Sequence, residues 1–308
     1  MTRKELIKLM LDKQYALEMG SGKLSKRYKC SKEDIYYAKN EVRKILSSST
    51  SKKMPKILIL DLEMAPMRAY VWRRWKENVS LDQTITDSFI LCWSAKWLYD
   101  NNIISDFLTP KEISREDDSR ITKHMWSLLN EADIVIAYNG KKADLPWLNS
   151  AFLRAGLPPT RPFFIVDPYD VVKRVFGFTS NKMDAIAGYL GIEHKLDTSF
   201  ELWKDCMEGS EDAMRYMVTY NKMDVKILEE IYIKMRPWIP RHPNIANILD
   251  EDVCPFCGSS NYEELIGEYY FTTTGKYKLY RCLDCGAVFR SRFAEKRDNK
   301  VNSIVCGH

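Results

Sequence analysis

The sequence predicts an α/β protein: a mixed sheet flanked by helices, with a small helical unit before it and a cysteine-rich ribbon after it. Three observations predict this. Between residues 55 and 240, three strand-like apolar runs are followed by helices and strands in alternation. Before residue 47, apolar residues recur at helical spacing among many lysines. After residue 250, two Cys-x-x-Cys-Gly motifs flank an aromatic stretch. No internal repeat is visible.

The bulk properties bound the reading. The 308 residues exceed one average domain, and 45% hydrophobic with 29% charged residues describes an ordinary globular protein. No run approaches the length of a membrane span, so no membrane partner is expected. Met1-Thr-Arg-Lys-Glu5 leads into no apolar leader, so a cytoplasmic location is expected. Eight cysteines in that setting point to metal or free thiols before disulfides. Charge is uneven. Residues 1–54 hold 14 Lys/Arg against 6 Asp/Glu, residues 55–240 hold 24 against 27, and residues 241–308 hold 9 against 9. A basic head beside a mildly acidic body suggests an arm that binds a polyanion.

Residues 1–46 predict a basic helical unit. Leu6, Leu9, Met10 and Leu17 fall near helical spacing, and Gly20-Ser-Gly22 breaks that helix. Leu24–Tyr28 reads as a short second helix. Ser31-Lys-Glu-Asp34 is a capping box that opens a third. On that helix Ile35, Ala38, Val42 and Ile45 share one face, while Lys32, Lys39, Arg43 and Lys44 form another. A short helix, a tight turn and a capped basic helix resemble a helix-turn-helix, which would place Lys32, Lys39 and Arg43 on nucleic acid. Ser47–Lys53 is small, polar and patternless, and residues 47–54 are expected to be a linker.

Residues 55–240 predict the main domain. Ile57-Leu-Ile-Leu60 reads as a strand buried on both faces. Its continuation, Asp61-Leu-Glu63, puts two carboxylates on one side, because strand side chains alternate. Phe89–Trp97 and Ile103–Leu108 read as a hairpin around Asp100-Asn-Asn102. Glu116–Asn130 is a helix, Asp133–Tyr138 a strand, and Leu145–Ala155 a helix stopped by Gly156 and Pro158-Pro159. Phe163–Val166 is a further strand. Helices follow around Asp170–Val175, Lys182–Leu190 and Glu211–Met235.

Three places hold acids where a metal site needs them. Asp61 and Glu63 end the buried strand. Asn139-Gly140 makes a turn after the Asp133–Tyr138 strand, and Asp144 opens the next helix, where an acid also suits the helix dipole. Tyr220 and Asp224 share one face of the last long helix by their i, i+4 spacing.

Together these motifs resemble the DEDD superfamily of 3′–5′ exonucleases, in its tyrosine subtype, on a ribonuclease-H-like fold. The superfamily includes the proofreading exonuclease domains of DNA polymerases. Its first motif, Asp-x-Glu, matches Asp61 and Glu63. Its second matches Asn139 and Asp144. Its third matches Tyr220-Asn-Lys-Met-Asp224, and Thr219 stands where the histidine version would have His. Val166-Asp167 through Asp170 and Asn181–Gly191 extend the likeness, which covers about residues 55–236. One departure is Ala143, where the family usually has an aromatic residue.

The resemblance implies hydrolysis of phosphodiester bonds with two Mg²⁺ or Mn²⁺ ions, typically about 4 Å apart. It implies that Asp61 bridges the ions, that Glu63 and Asp224 serve the nucleophile side, and that Asp144 serves the other ion. Tyr220 would orient the attacking water, since a phenol of pKa about 10 is a weak base at neutral pH. The implied substrate is DNA or RNA, with DNA favoured and a single-stranded 3′ end as the reacting form. An endonuclease acting on structured nucleic acid would use the same acids, and a nucleic-acid-binding regulator with an inactive core is the alternative outside the enzymes. The whole architecture suits a phage-like protein working with replication or repair partners.

Residues 250–293 predict a zinc ribbon. Cys254-Pro-Phe-Cys257-Gly and Cys282-Leu-Asp-Cys285-Gly are separated by 24 residues. Four thiolates close a tetrahedral structural Zn²⁺ site. Tyr269–Tyr280 between them reads as a hairpin around Thr274-Gly275. Lys276, Lys278, Arg281, Arg290 and Arg292 alternate with aromatics, a pattern suited to phosphates and bases. Tyr270, Tyr277 and Phe289 can equally form the ribbon's own small core. Residues 294–308 form a basic tail in which Cys306 and His308 are read as frayed. Cys30, Cys92 and Cys206 are read as inert.

Overall fold

A computed structural model describes residues 3–12, 21–49, 54–192, 196–273 and 275–295. The tail residues Lys296, Arg297, Lys300, Cys306 and His308 lie outside these, as does Leu17. The chain divides into two compact units, Met1–Met54 and Pro55–His308.

The first unit holds α1 (Arg3–Asp12), α2 (Ser21–Tyr28) and α3 (Lys32–Ser49). Leu6 and Met10 of α1, Leu24 of α2 and Ile35, Ala38 and Val42 of α3 are fully buried together. Half of the capping box forms: the Asp34 N–H donates to Ser31 Oγ at 3.0 Å, and it is the Ser31 hydroxyl that donates back to the Asp34 carboxylate at 2.7 Å. Gly22 lies inside α2, while Gly20 lies outside the described residues. Two expectations change. Ser47, Ser48 and Ser49 continue α3 instead of beginning a linker, because extending an existing helix costs far less than nucleating one. Lys39 is only 8% exposed, one residue along from core Ala38, so it is not on the solvent face. Lys32 is exposed, and the side chain of Arg43 lies outside what is described.

The second unit is built on β1 (Ile57–Met64), β2 (Arg68–Ala69), β3 (Thr84–Thr86), β4 (Ile90–Trp97), β5 (Ile103–Phe107), β6 (Ile134–Ile136) and β7 (Phe164–Val166). Its helices are α4 (Pro110–Ile113), α5 (Ser119–Glu131), α6 (Asp144–Arg154), α7 (Pro168–Val175), α8 (Met183–Tyr189), α9 (Phe200–Met207), α10 (Glu211–Met235) and α11 (Ile245–Leu249). Five strands form one mixed sheet in the order β5-β4-β1-β6-β7. β4 and β5 form the expected hairpin, β4 runs antiparallel to β1, and β6 and β7 run parallel to β1. β1 is therefore the central strand, with neighbours on both edges.

That position explains its sequence. Leu58 and Leu60 face the side covered by Ile121, Met125 and Leu129 of α5 and Leu148 and Phe152 of α6. Ile57 and Ile59 face the other side, with Val225, Leu228 and Tyr232 of α10. Each fully buried aliphatic contributes about 1.5–3 kcal/mol. A buried ion pair between Lys96 of β4 and Glu229 of α10 also ties the helix to the sheet, and the Tyr99 N–H donates to the same carboxylate at 3.2 Å. β2, β3, α4, α9 and α11 were not legible in the sequence; each is short, and periodicity needs length to show.

After α11 come β8 (Tyr262–Phe271), β9 (Lys276–Cys282) and β10 (Val288–Arg290), a three-stranded antiparallel sheet in the order β10-β9-β8. Tyr232 of α10 meets this region. Its hydroxyl contacts His242 Nε2 at 2.9 Å, and the His242 ring lies against Phe256 of the first Cys-x-x-Cys motif.

Candidate metal centre

Asp61 and Glu63 lie on the face of β1 that Ile57 and Ile59 share, and that face looks toward α10. α10 begins at Ser210, whose Oγ accepts from the Ala213 N–H at 3.3 Å. Its length carries Tyr220 and Asp224 past the centre of the sheet. Carboxylate oxygens of Asp61, Glu63 and Asp224 come within 4.8 Å of one another. At that spacing, with an effective dielectric near 20, each like-charged pair repels by about 3 kcal/mol. Asp224 is buried and Asp61 and Glu63 are partly so, so water screens the group poorly.

Two residues that sequence reasoning missed contact Asp61 and Tyr220. Asn221 is fully buried and donates from Nδ2 to Asp61 Oδ2 at 2.7 Å. Its Oδ1 has no hydrogen-bond partner among the described residues. The side chain of Trp203 on α9 packs edge-on against the Tyr220 ring, centroids 6.4 Å apart. Asn221 sits beside Tyr220 in sequence, yet only the crossing of α10 over β1 turns it onto Asp61. Tyr220 itself is 8% exposed.

Asp144 opens α6 as expected, but it does not cap that helix through its side chain. Its carboxylate instead accepts from its own N–H and from the Leu62 N–H, which places it against β1 between Asp61 and Glu63 in the chain. Burial is the main cause that pushes its pKa up to about 6, with those N–H groups pulling the other way. Asp144 stands outside the tight group of three carboxylates.

The turn before α6 is built as a backbone device. Asn139 takes a left-handed φ of 60°, and a Cβ at Gly140 would lie 2.2 Å from the Ala137 Cβ, so only glycine fits there. Asp167 accepts from the N–H groups of Asn139 at 2.8 Å, Lys141 at 3.2 Å and Tyr169 at 3.1 Å. One buried acid thus caps α7 and pins the turn. The Asp167-Pro168 pair, a helix start signal, could have revealed its capping role, but not its grip on residue 139.

Cys92 lies opposite Glu63 across β1 and β4. Burial above all, and then the Glu63 charge, raise its thiol well above the ordinary value, so it stays neutral. This agrees with an inert cysteine.

The second group is Cys254, Cys257, Cys282 and Cys285, whose sulfurs also lie within 4.8 Å of one another. Cys254 and Cys285 are 3.7 Å apart, and Cys257 and Cys282 are 3.6 Å apart. Four sulfurs at Zn–S distances of about 2.3 Å have tetrahedral edges of about 3.8 Å, so the donor set fits zinc. The two motifs are built alike. Gly258 N–H bonds to the Cys254 carbonyl at 2.9 Å and Gly286 N–H to the Cys282 carbonyl at 3.0 Å, each glycine at positive φ.

The ribbon cations have mixed surroundings. Lys276 stacks on Tyr269 at 3.5 Å and Arg290 on Tyr277 at 4.1 Å. Lys278 pairs with Glu264 at 3.0 Å, while Arg281 and Arg292 are exposed. Phe289 joins the small core with Tyr262, whereas Tyr270 is half-exposed.

No helix among the described residues is long and apolar enough to cross a membrane. A search of curated proteins returns no match. Among solved structures, the chain is similar to the family B DNA polymerase from the hyperthermophilic archaeon Pyrobaculum calidifontis. The identity is 16% and the TM-score 0.45, over 60% of this chain and 25% of that one, so the chain spans about a quarter of that polymerase. Residues 87–236 match the family model of the RNase_H superfamily. The match begins after β1, so Asp61 and Glu63 join the matched residues through the sheet, where β1 lies between β4 and β6. The five-stranded mixed sheet with helices on both faces is ribonuclease-H-like.

Proposed function

We propose that this chain is a metal-dependent nuclease that removes nucleotides from the 3′ end of single-stranded nucleic acid, DNA in preference to RNA. The observation that carries the reading is the meeting of Asp61, Glu63 and Asp224 within 4.8 Å, with Tyr220 one helical turn before Asp224. Such a group is costly without cations, and oxygen donors of this kind suit Mg²⁺ or Mn²⁺. Bound divalent ions would neutralise the phosphate and lower the pKa of a bound water.

The chain's own residues would do the rest. Asp61, held by Asn221, would hold such ions together with Glu63 and Asp224. Asp144, on the Leu62 N–H, would serve the other ion. The Tyr220 hydroxyl would orient water by hydrogen bonding. Cys254, Cys257, Cys282 and Cys285 would hold one structural Zn²⁺, and the basic first unit would add non-specific affinity for the strand.

The test uses single-stranded DNA and RNA oligonucleotides labelled at the 5′ end, with Mg²⁺, Mn²⁺ or chelator. The expected result is a ladder shortening from the 3′ end only when a divalent ion is present. Internal cuts at a structured junction would favour an endonuclease on the same acids. No hydrolysis with either ion, together with retained strand binding, would favour a binding protein.

A further inference from the structure

Between β2 and β3 the chain makes an excursion, residues 70–83, closed at its base by the β2–β3 pairing and by the Tyr70 N–H to the Gln83 carbonyl at 2.9 Å. Large aromatic residues normally bury most of their surface. Here Tyr70 is 75% exposed, Trp72 91% and Trp75 76%. Three large rings left in water within six residues are not explained by folding. Cations lie between and beside them: Arg73, Arg74 and Lys76. Arg73 pairs with Glu77 at 3.2 Å, whereas Arg74 and Lys76 have no ion-pair partner among the described residues.

The excursion leaves directly from the candidate metal centre. Glu63 is the next-to-last residue of β1, the ladder to β4 shifts register just after it, and the Ala65 N–H then bonds to the Phe89 carbonyl. Tyr70 is seven residues beyond Glu63. At no more than about 3.6 Å per residue it lies within about 25 Å of that carboxylate.

We propose that Tyr70, Trp72 and Trp75, with Arg74 and Lys76, form a stacking platform that grips a single strand of nucleic acid on its way to the carboxylate site. This rests on the nuclease reading given above. Rings stack on any base, and free cations beside them neutralise phosphates, which together favour a flexible single strand. A protein partner would also bury the rings, but two unpaired cations flanking them complement a polyanion better than an apolar surface.

The platform is separable from the chemistry. Affinity for a labelled oligothymidylate is measured in EDTA, where nothing is hydrolysed, for the full-length protein and for W72A/W75A and R74A/K76A. Hydrolysis of p-nitrophenyl thymidine 5′-monophosphate with Mn²⁺ reads the carboxylate site alone. W72A/W75A is expected to lose at least about tenfold in affinity. R74A/K76A is expected to flatten the salt dependence by about 1.4 in slope, for two single-strand phosphates. Both should keep wild-type hydrolysis of the small ester. The side chains are exposed, so an unchanged melting temperature shows that each variant folds. Unchanged affinity and slope in both variants would overturn the platform. So would a self-association of the wild type that W72A/W75A abolishes while oligonucleotide affinity stays the same. Failure of the wild type to cleave the ester would instead count against the nuclease reading, and the binding measurements would still decide the platform.

Discussion

The carboxylate group and the cysteine group are both clusters of would-be metal ligands, but they are assembled in opposite ways. Asp61 and Asp224 stand 163 positions apart. They meet because a central strand and a long helix are each packed over their whole length. The four thiols come from two short turns of similar build, joined by a hairpin, with a buried core of little more than Cys254, Cys282 and Ala287. The comparison teaches which site depends on which. The sheet holds its carboxylates together against their repulsion, whereas the ribbon has little core beside its thiols, so a metal bound there would carry most of its stability.

The largest effect should come from breaking the cysteine group. Structural zinc contributes about 10–16 kcal/mol in small metal-dependent domains. Cys282→Ser should therefore abolish protection from hydrogen exchange along β8 and β9 while β4 keeps its own. Equal protection in the variant would mean that the ribbon stands on its core, and the contrast would collapse.

Asp61→Ala should behave in the opposite way. Hydrolysis should fall below detection while the melting temperature in EDTA holds or rises, because one repelling charge has gone. Substantial residual activity across a Mg²⁺ titration would remove Asp61 from the site.

Smaller losses sharpen how the fold holds its acids. Tyr220→Phe should lower kcat by about 100-fold or less with little change in strand affinity. Asn221→Ala should weaken activity by about 10–100-fold, as for other groups that orient metal ligands, and excess Mn²⁺ should recover part of it. If Tyr220→Phe altered only KM, Tyr220 would serve packing or substrate contact instead.

A pH dependence is expected at Asp144. Its folded pKa of about 6 lies above the ordinary 3.8, so the folded state binds its proton more tightly. Stability is then favoured below 3.8 and lost as pH rises through about 6. The full shift corresponds to about 3 kcal/mol. Asp144→Asn should raise the melting temperature in EDTA at pH 8 and change it little at pH 4. A uniform change at both would deny that its ionisation is what costs stability.

Long elements were readable from the chain because burial repeats along them. Ile57–Leu60, the Phe89–Trp97 hairpin strand and Glu211–Met235 each show a run or period long enough to identify. The cysteine spacing was equally plain, because its two motifs are short and local, whereas the acids at 61, 63, 144 and 224 stood out only in combination, through the resemblance of their motifs. Residues 70–83 were not legible, because an exposed aromatic run looks the same on paper as a buried one.

By itself the sequence determined the mixed α/β class, the order of the main elements, the residue types of both clusters and the two-turn plan of the ribbon. Those properties depend on local periodicity and on short spacings. Tertiary structure alone decided that Asn221 holds Asp61, that Asp167 pins the turn at Asn139, that Asp144 turns to the Leu62 N–H and that Lys39 is buried. Each of these depends on which faces meet when helices pack on the sheet, and no single segment of the chain carries that information.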